Sequence, residues 1–273
     1  MTATATRHAV HPRVMDFELD ETIPRHWHAG LAMPTAISNT LHLLFPLGER
    51  FFVRSVKHYF QQIEDPELRA QVKGFFGQEG RHAREHERFF EVLEAQGYEV
   101  RRFLRFYDKL AYGFLERLFS PQLRLSVTVA LEHYTAIMAE NAFVHGLLDE
   151  VDPRVRALLL WHAAEEIEHK AVAFDVLKQV NPSYWLRARG MALATLAFVA
   201  FWISGTIMFL RQEPDVNGRE LLRQLGQMRR RHPIVRRVFL RGIREYLRRD
   251  FHPWDNDNHQ LAARYLEGVA ARA

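Results

Sequence analysis

The chain has 273 residues, 48% of them hydrophobic and 26% charged, with 20 Phe against 14 Gly and 11 Pro. That balance supplies ample apolar surface for a core and excludes disorder and a turn-rich β-sandwich. Cysteine is absent and 15 His are present, so any metal must be held by His, Asp and Glu, and disulfides, iron–sulfur clusters and thiol nucleophiles are excluded. The net charge of +4 is an arginine excess, since 32 of the 37 basic residues are Arg.

The first 32 residues read as an N-terminal extension. Before Pro24 there is no apolar core of the signal-peptide kind, so the expected location is the cytoplasm. Pro34 opens a helix to about Gln62. Asp65-Pro66 is a cap followed by a first-turn proline, and Gly97 is a stop, which predicts a second helix over 66–96. A shorter helical stretch covers 103–119. Ser120-Pro121 opens a helix to about Glu150, Asp152-Pro153 another to about Val180, and Asn181-Pro182 a last long one to about Gln212. No alternating apolar runs bounded by turns are present, so the fold class is all-α. The chain thus divides into the extension 1–32, a bundle 33–180, an apolar helix 181–212 and a basic helical C-terminal region 213–273.

Four helices carry a 3-4-3-4 seam of the kind that faces the middle of a helical bundle. The first reads His42, Phe45, Glu49, Phe52, Val56, Tyr59, and the second Val72, Phe75, Glu79, His82, His86, Phe89, Leu93. The third reads Leu125, Thr128, Glu132, Thr135, Ala139, Ala142, and the fourth Val155, Leu159, His162, Glu166, His169, Ala173, Val176, Val180. Each seam holds a carboxylate among apolar neighbours. Four buried carboxylates at one level need a shared counter-charge.

Glu79-Gly80-Arg81-His82 and Glu166-Ile167-Glu168-His169 are both Glu-x-x-His. Positions i and i+3 lie on one helix face, so the carboxylate and imidazole of each motif reach the same ion. Each motif follows a lone seam Glu, Glu49 by 30 positions and Glu132 by 34, an interval of one helix, a turn and a return helix. Four Glu and two neutral His offset the charge of two divalent ions. This order resembles the ferritin-like di-iron or di-manganese carboxylate proteins, over about residues 34–180. The resemblance implies a ferritin-like four-helix bundle with a dinuclear site held by Glu49, Glu79, His82, Glu132, Glu166 and His169, with 97–120 as the crossover between helix pairs. His162, one turn before Glu166, makes His-x-x-x-Glu-x-x-His, similar to the p-aminobenzoate N-oxygenase branch, where a third His joins the metals. His86 extends the second motif in the same way and is either a further ligand or a histidine standing behind one. Glu165, Glu168, Glu85 and His133 fall off the seams and are expected to be solvated or to sit behind the ligands, with Glu140 of the same kind but nearer its seam. Substitution of Glu165 is accordingly expected to leave the metals little changed.

The whole chain also resembles a bacterial family described as predicted metal-dependent hydrolases. The likeness rests on Gln78-Glu79-Gly80-Arg81-His82, Glu165-Glu166-Ile167-Glu168-His169 and Phe251-His252-Pro253-Trp254-Asp255. The last of these is expected to be a Trp-anchored tail packed on the bundle.

Gly190 to Leu210 is a run of 21 residues without a charge, long enough to cross a bilayer. Residues 211–249 hold 12 Arg against 4 acidic residues, and an outward-facing basic tail opposes the positive-inside tendency. Three arrangements remain: a fifth helix buried on the bundle, a helix lying in the inner leaflet, or a span. The basic stretch lacks a nucleic-acid-binding motif, so nucleic acid is not an expected partner; a solvated face or contact with anionic lipid is.

The ligand pattern and its family likeness imply an enzyme in which two iron ions activate O2 to oxidise a small or lipophilic organic substrate, with manganese or a mixed iron–manganese pair served by the same ligands. A metal-dependent hydrolase is the alternative enzyme, and a non-enzymatic iron-handling protein the alternative outside catalysis. Small seam residues Thr128, Thr135, Ala139 and Ala142 leave room beside the metals.

Overall fold

The computed structural model describes residues 8–214 and 216–270. It is helical throughout, and no strand forms among the described residues beyond a single bridge between His28 and Val151. The helices are α1 (Ala32–Lys57), α2 (Pro66–Ala95), α3 (Arg101–Tyr107), α4 (Glu116–Leu118), α5 (Pro121–Val144), α6 (Pro153–His169), α7 (Val172–Val180), α8 (Tyr184–Leu210), α9 (Gly218–Arg231), α10 (Arg241–Tyr246) and α11 (His259–Ala270). A π-helical segment, Asp108–Leu115, joins α3 to α4, so the crossover is one continuous helical path.

The punctuation acts as its chemistry demands. The carboxylate of Asp65 accepts from the backbone N–H groups of Glu67 and Leu68, the Ser120 hydroxyl from Leu123, and the Asp152 carboxylate from Arg154, each with proline in the first turn. Three expected spans differ. The helix expected to reach about Glu150 stops at Val144, ahead of Gly146 at positive φ. The first helix ends at Lys57, and Phe60–Gln62 is a separate 3₁₀ turn. The fourth is interrupted at Lys170 and Ala171, directly after His169. There the Lys170 ammonium donates to the Asn256 carbonyl and to Asn258 Oδ1 from the C-terminal region.

The α1/α2 pair and the pair made by α5 with α6 and α7 enclose the seams. Val72, Phe75, Leu125 and Val176 are buried at one end, and Leu43, Phe89, Leu93 and Val155 towards the other. α8 lies along α1 and α5. Gly190 permits that approach, because a Cβ there would stand 2.6 Å from the Ser126 backbone. The C-terminal segment returns over α5 and α7 as expected, but its buried anchor is Phe251, which packs on Phe174, His133 and Tyr246, whereas Trp254 is half-buried beneath Lys170. The N-terminal segment crosses α2 at Gly74, where any side chain would meet Val10. That crossing brings Arg13, itself partly exposed, onto Glu165 and Glu168.

Candidate metal centre

Every seam carboxylate and histidine of the sequence pattern points into the bundle. Glu49 comes from α1, Glu79, His82 and His86 from α2, Glu132 from α5, and His162, Glu166 and His169 from α6, and all are buried. They gather around two foci. At one, His169 Nε2 lies 3.1 Å from Glu79, 3.4 Å from Glu132 and 3.6 Å from Glu166. At the other, His162 Nε2 lies 2.9 Å from Glu166 and 3.7 Å from Glu49, and His82 Nδ1 lies 3.7 Å from Glu166. Glu79, the motif glutamate of α2, groups with His82 and Glu49 on one side and with Glu166 and His169 on the other. The motif glutamates therefore stand between the foci.

His162 Nε2 and Glu166 are hydrogen-bonded, but most of the other atoms find no such partner. Both carboxylate oxygens of Glu49, Glu79 and Glu132, together with His82 Nδ1 and His169 Nε2, are buried with no hydrogen-bond partner. Orphaned polar atoms at that density are too costly to be incidental. Their convergence fits a cation, which satisfies all of them at once.

The other side of each imidazole is held firmly. Gln78 donates through Nε2 to Glu168, at 2.6 Å, so its Oε1 accepts from His169 Nδ1–H at 2.8 Å. Arg13 donates to Glu165 Oε1 and to both oxygens of Glu168, and the free Glu165 oxygen accepts from His82 Nε2–H at 3.0 Å. In both rings a proton is fixed on the outward nitrogen, which leaves the inward nitrogen as the atom that faces the carboxylates and would give its lone pair to an ion. The two motifs brace each other: the residue before Glu79 orients His169, and the residue before Glu166 orients His82. His86 bonds through Nε2 to His162 Nδ1 at 2.6 Å and through Nδ1 to His42 Nδ1 at 2.7 Å, which places it behind His162.

Burial, and then the neighbouring carboxylates, push Glu49 well above the usual carboxylate range. Burial likewise raises Glu79, against the pull of His169, and raises Glu132 to about 7. Burial also opposes ionisation of Glu166 and protonation of His169, but their mutual attraction wins, so Glu166 is held low and His169 high. His82 is lowered by burial and by His162.

Two apolar cavities reach the cluster. One, of about 120 Å³, is lined by Leu41, Phe45, Thr135, Ala139 and Ala142 and touches His162 and Glu166. The other, of about 110 Å³, runs between the crossover and α8 and touches Glu49 and Thr135. Three of the small seam residues therefore do leave space beside the cluster. The fourth, Thr128, instead bonds Ser55. Thr135 also donates to the Glu166 carboxylate.

Glu165 takes one of its two expected places, behind the ligands and not in solvent. It lies about 100° around the helix from Glu166, yet it is fully buried, because α2, α5 and α11 all pack on α6 and no flank of the seam is left to solvent. Its place is behind His82. Glu168 likewise sits behind the ligands, as one of its expected places, whereas Gln78 and Arg13 were not assigned to the site from the sequence. A signal for the first existed, since Gln78 and Glu165 occupy the same position before each Glu-x-x-His. Arg13 had none, lying far from either motif in the chain. Glu85, His133 and Glu140 bond to Arg88, the Gly242 carbonyl and Asn256 respectively, away from the foci.

No curated protein and no solved structure matches the chain. A family model described as "Predicted metal-dependent hydrolase" matches residues 11–257, which include Arg13, both Glu-x-x-His boxes and the Phe251–Asp255 tail. With nearly the whole length matched and a His/Glu cluster able to take a metal at its centre, the chain belongs to the family of predicted metal-dependent hydrolases.

Proposed function

We propose that the chain is a dinuclear metal-dependent hydrolase acting on a lipophilic substrate. His169, Glu132, Glu79 and Glu166 would hold one ion, and His82, His162, Glu49 and the two motif glutamates the other. The observation that carries the reading is the pair of imidazoles whose outward protons are fixed by Gln78 and Glu165 while their inward nitrogens face orphaned carboxylate oxygens. Bound divalent ions supply Lewis-acid polarisation of a carbonyl or phosphoryl oxygen and acidify water. The protein supplies the rest. Thr135 steadies Glu166, Arg13 compensates the carboxylates behind the centre, and the apolar cavity walls exclude bulk water and select an apolar substrate body.

A second reading is oxidation of such a substrate by O2 at a di-iron centre. It is favoured by the four-glutamate ligand set with two Glu-x-x-His motifs, which resembles the di-iron carboxylate proteins. Iron is the first candidate metal in either case, with manganese or a mixed pair served by the same donors. Purification without oxygen, elemental analysis and parallel assays decide the matter. Two ions per chain are expected, with turnover of aryl or acyl esters in the absence of O2. No more than one ion after iron and manganese loading overturns the dinuclear site. O2 consumption with an optical change in the loaded protein, and no ester turnover, selects the second reading.

A further inference from the structure

We infer that the surface formed by the crossover and α8 docks on an anionic membrane surface, and that the cavity reaching Glu49 opens towards that membrane. α8 is apolar enough for a bilayer, yet only 28% of its most apolar stretch is buried, unlike the core helix of a soluble protein. Its outward positions Ala192, Leu196, Ala200, Ile203 and Ile207 form one exposed stripe at helical spacing. The crossover carries a second: Phe106, Leu110, Phe114 and Leu118, four residues apart and 37–63% exposed. Phe106 packs on Phe201 of α8, which joins the stripes into one face. Isolated exposed apolar residues need no explanation, but a joined face does.

The charge beside this face selects its occupant. The crossover holds Arg102, Arg105, Lys109 and Arg117, besides Arg101 which pairs with Glu94, against Glu99, Asp108 and Glu116, and Glu116 is already paired with Arg54. Arg189 and Arg211 are exposed at the two ends of the α8 run. An apolar face beside unneutralised arginines suits anionic headgroups over acyl chains. The helix lies on the membrane and does not cross it, because it is tied to the bundle along its length. Ser126 donates to the Leu186 carbonyl, Tyr134 bonds Thr195, and Trp202 donates to the Ile37 carbonyl. A span would drag α1, with Arg50 and Arg54, into the hydrocarbon.

The 110 Å³ cavity lies between these two segments. Ala111, Leu115 and Phe119 form its crossover wall, Ala197 and Phe201 its α8 wall, and Glu49 its inner end. Docking would therefore set its mouth against the bilayer, and the substrate class is an acyl chain or another molecule dissolved in it. This last step rests on the metal-centre reading; the docking itself does not.

Flotation of the metal-loaded full chain with phosphatidylcholine vesicles, with and without 30% phosphatidylglycerol, tests the docking. At least tenfold more protein is expected on the anionic vesicles, with release by 1 M salt. Leu118→Asp and Leu196→Asp, both exposed, are expected to lower binding at least tenfold with metal content unchanged. Equal flotation of the variants overturns the proposal, as does retention through both salt and alkaline carbonate, which marks a span. So does a dimer in light scattering that either variant makes monomeric, which assigns the face to a second copy. For the cavity, spin-labelled stearate in the vesicles is expected to be immobilised by bound protein, and Ala197→Trp or Leu115→Trp to abolish this without releasing the protein or its metal. Immobilisation that survives both fillings refutes the route while leaving docking and the metal centre to stand on their own results.

Discussion

Glu165 and Glu166 are neighbours in the chain with opposite duties. Glu166 faces the foci, and Glu165 holds the back of His82. Removing a group that orients a ligand typically costs 10–100-fold in metal affinity. Glu165→Ala is therefore expected to weaken metal binding by about that factor, with Glu165→Gln milder because its amide oxygen still accepts from His82. Chelator competition measures it, and an unchanged affinity in the alanine variant would show that His82 needs no such support. His28 gives a separate residue-scale expectation. Burial, then His232, holds it down at about 4, whereas an unfolded histidine titrates near 6.5. Between those values the unfolded chain binds the extra proton, so stability falls as the pH drops from about 6.5 towards 4 and is flat in this group above 6.5. Urea unfolding at several pH values checks this, and His28→Gln is expected to show the shallower slope.

At the scale of elements, α8 is the piece whose seating on the bundle is most exposed to test. A Cβ at Gly190 would lie 2.1 Å from Ser126 Oγ and 2.6 Å from its backbone, so the neighbour cannot simply rotate away. Gly190→Val is expected to destabilise by about 1–3 kcal/mol through overpacking. In a domain of this size that lowers the melting temperature by roughly 2–10 °C. Ala192→Val, on the exposed side of the same helix, is the control and should move it little. Equal effects at both positions would mean that propensity, not the close approach, sets the cost. α6 shows a different lesson: its termination at His169 is accompanied by the Lys170 ammonium bonding to the returning C-terminal segment, so a helix drawn from local signals alone runs on past it.

For the whole molecule, the cluster is a liability without its ions. Burial raises Glu49, Glu79 and Glu132, and the orphaned atoms around them are unsatisfied. Anything that binds only the folded chain stabilises it by mass action, by about 2.7 kcal/mol per site at a hundredfold excess over Kd. Each ion bound should accordingly raise the melting temperature by roughly 5–10 °C, and the pair by about twice that, and a chelator should reverse it. A melting curve indifferent to both would remove the metal from the folding balance.

The all-helical fold, most helix starts and the inward-facing ligand pattern follow from the sequence by itself, because caps, prolines and a 3-4 rhythm are local and repeat. Glu49, Glu79, Glu132 and Glu166 could be brought to one level by counting residues between turns. Other features depend on which surfaces meet. Arg13 reaches Glu165 and Glu168 across more than 150 residues of chain because the N-terminal segment crosses α2 beside Gly74. Glu165 is buried because three helices pack on α6. α8 is only partly covered because just one of its sides finds a partner. Periodicity tells which way a side chain points along its own helix; what it meets there is decided by the packing of segments distant in the chain.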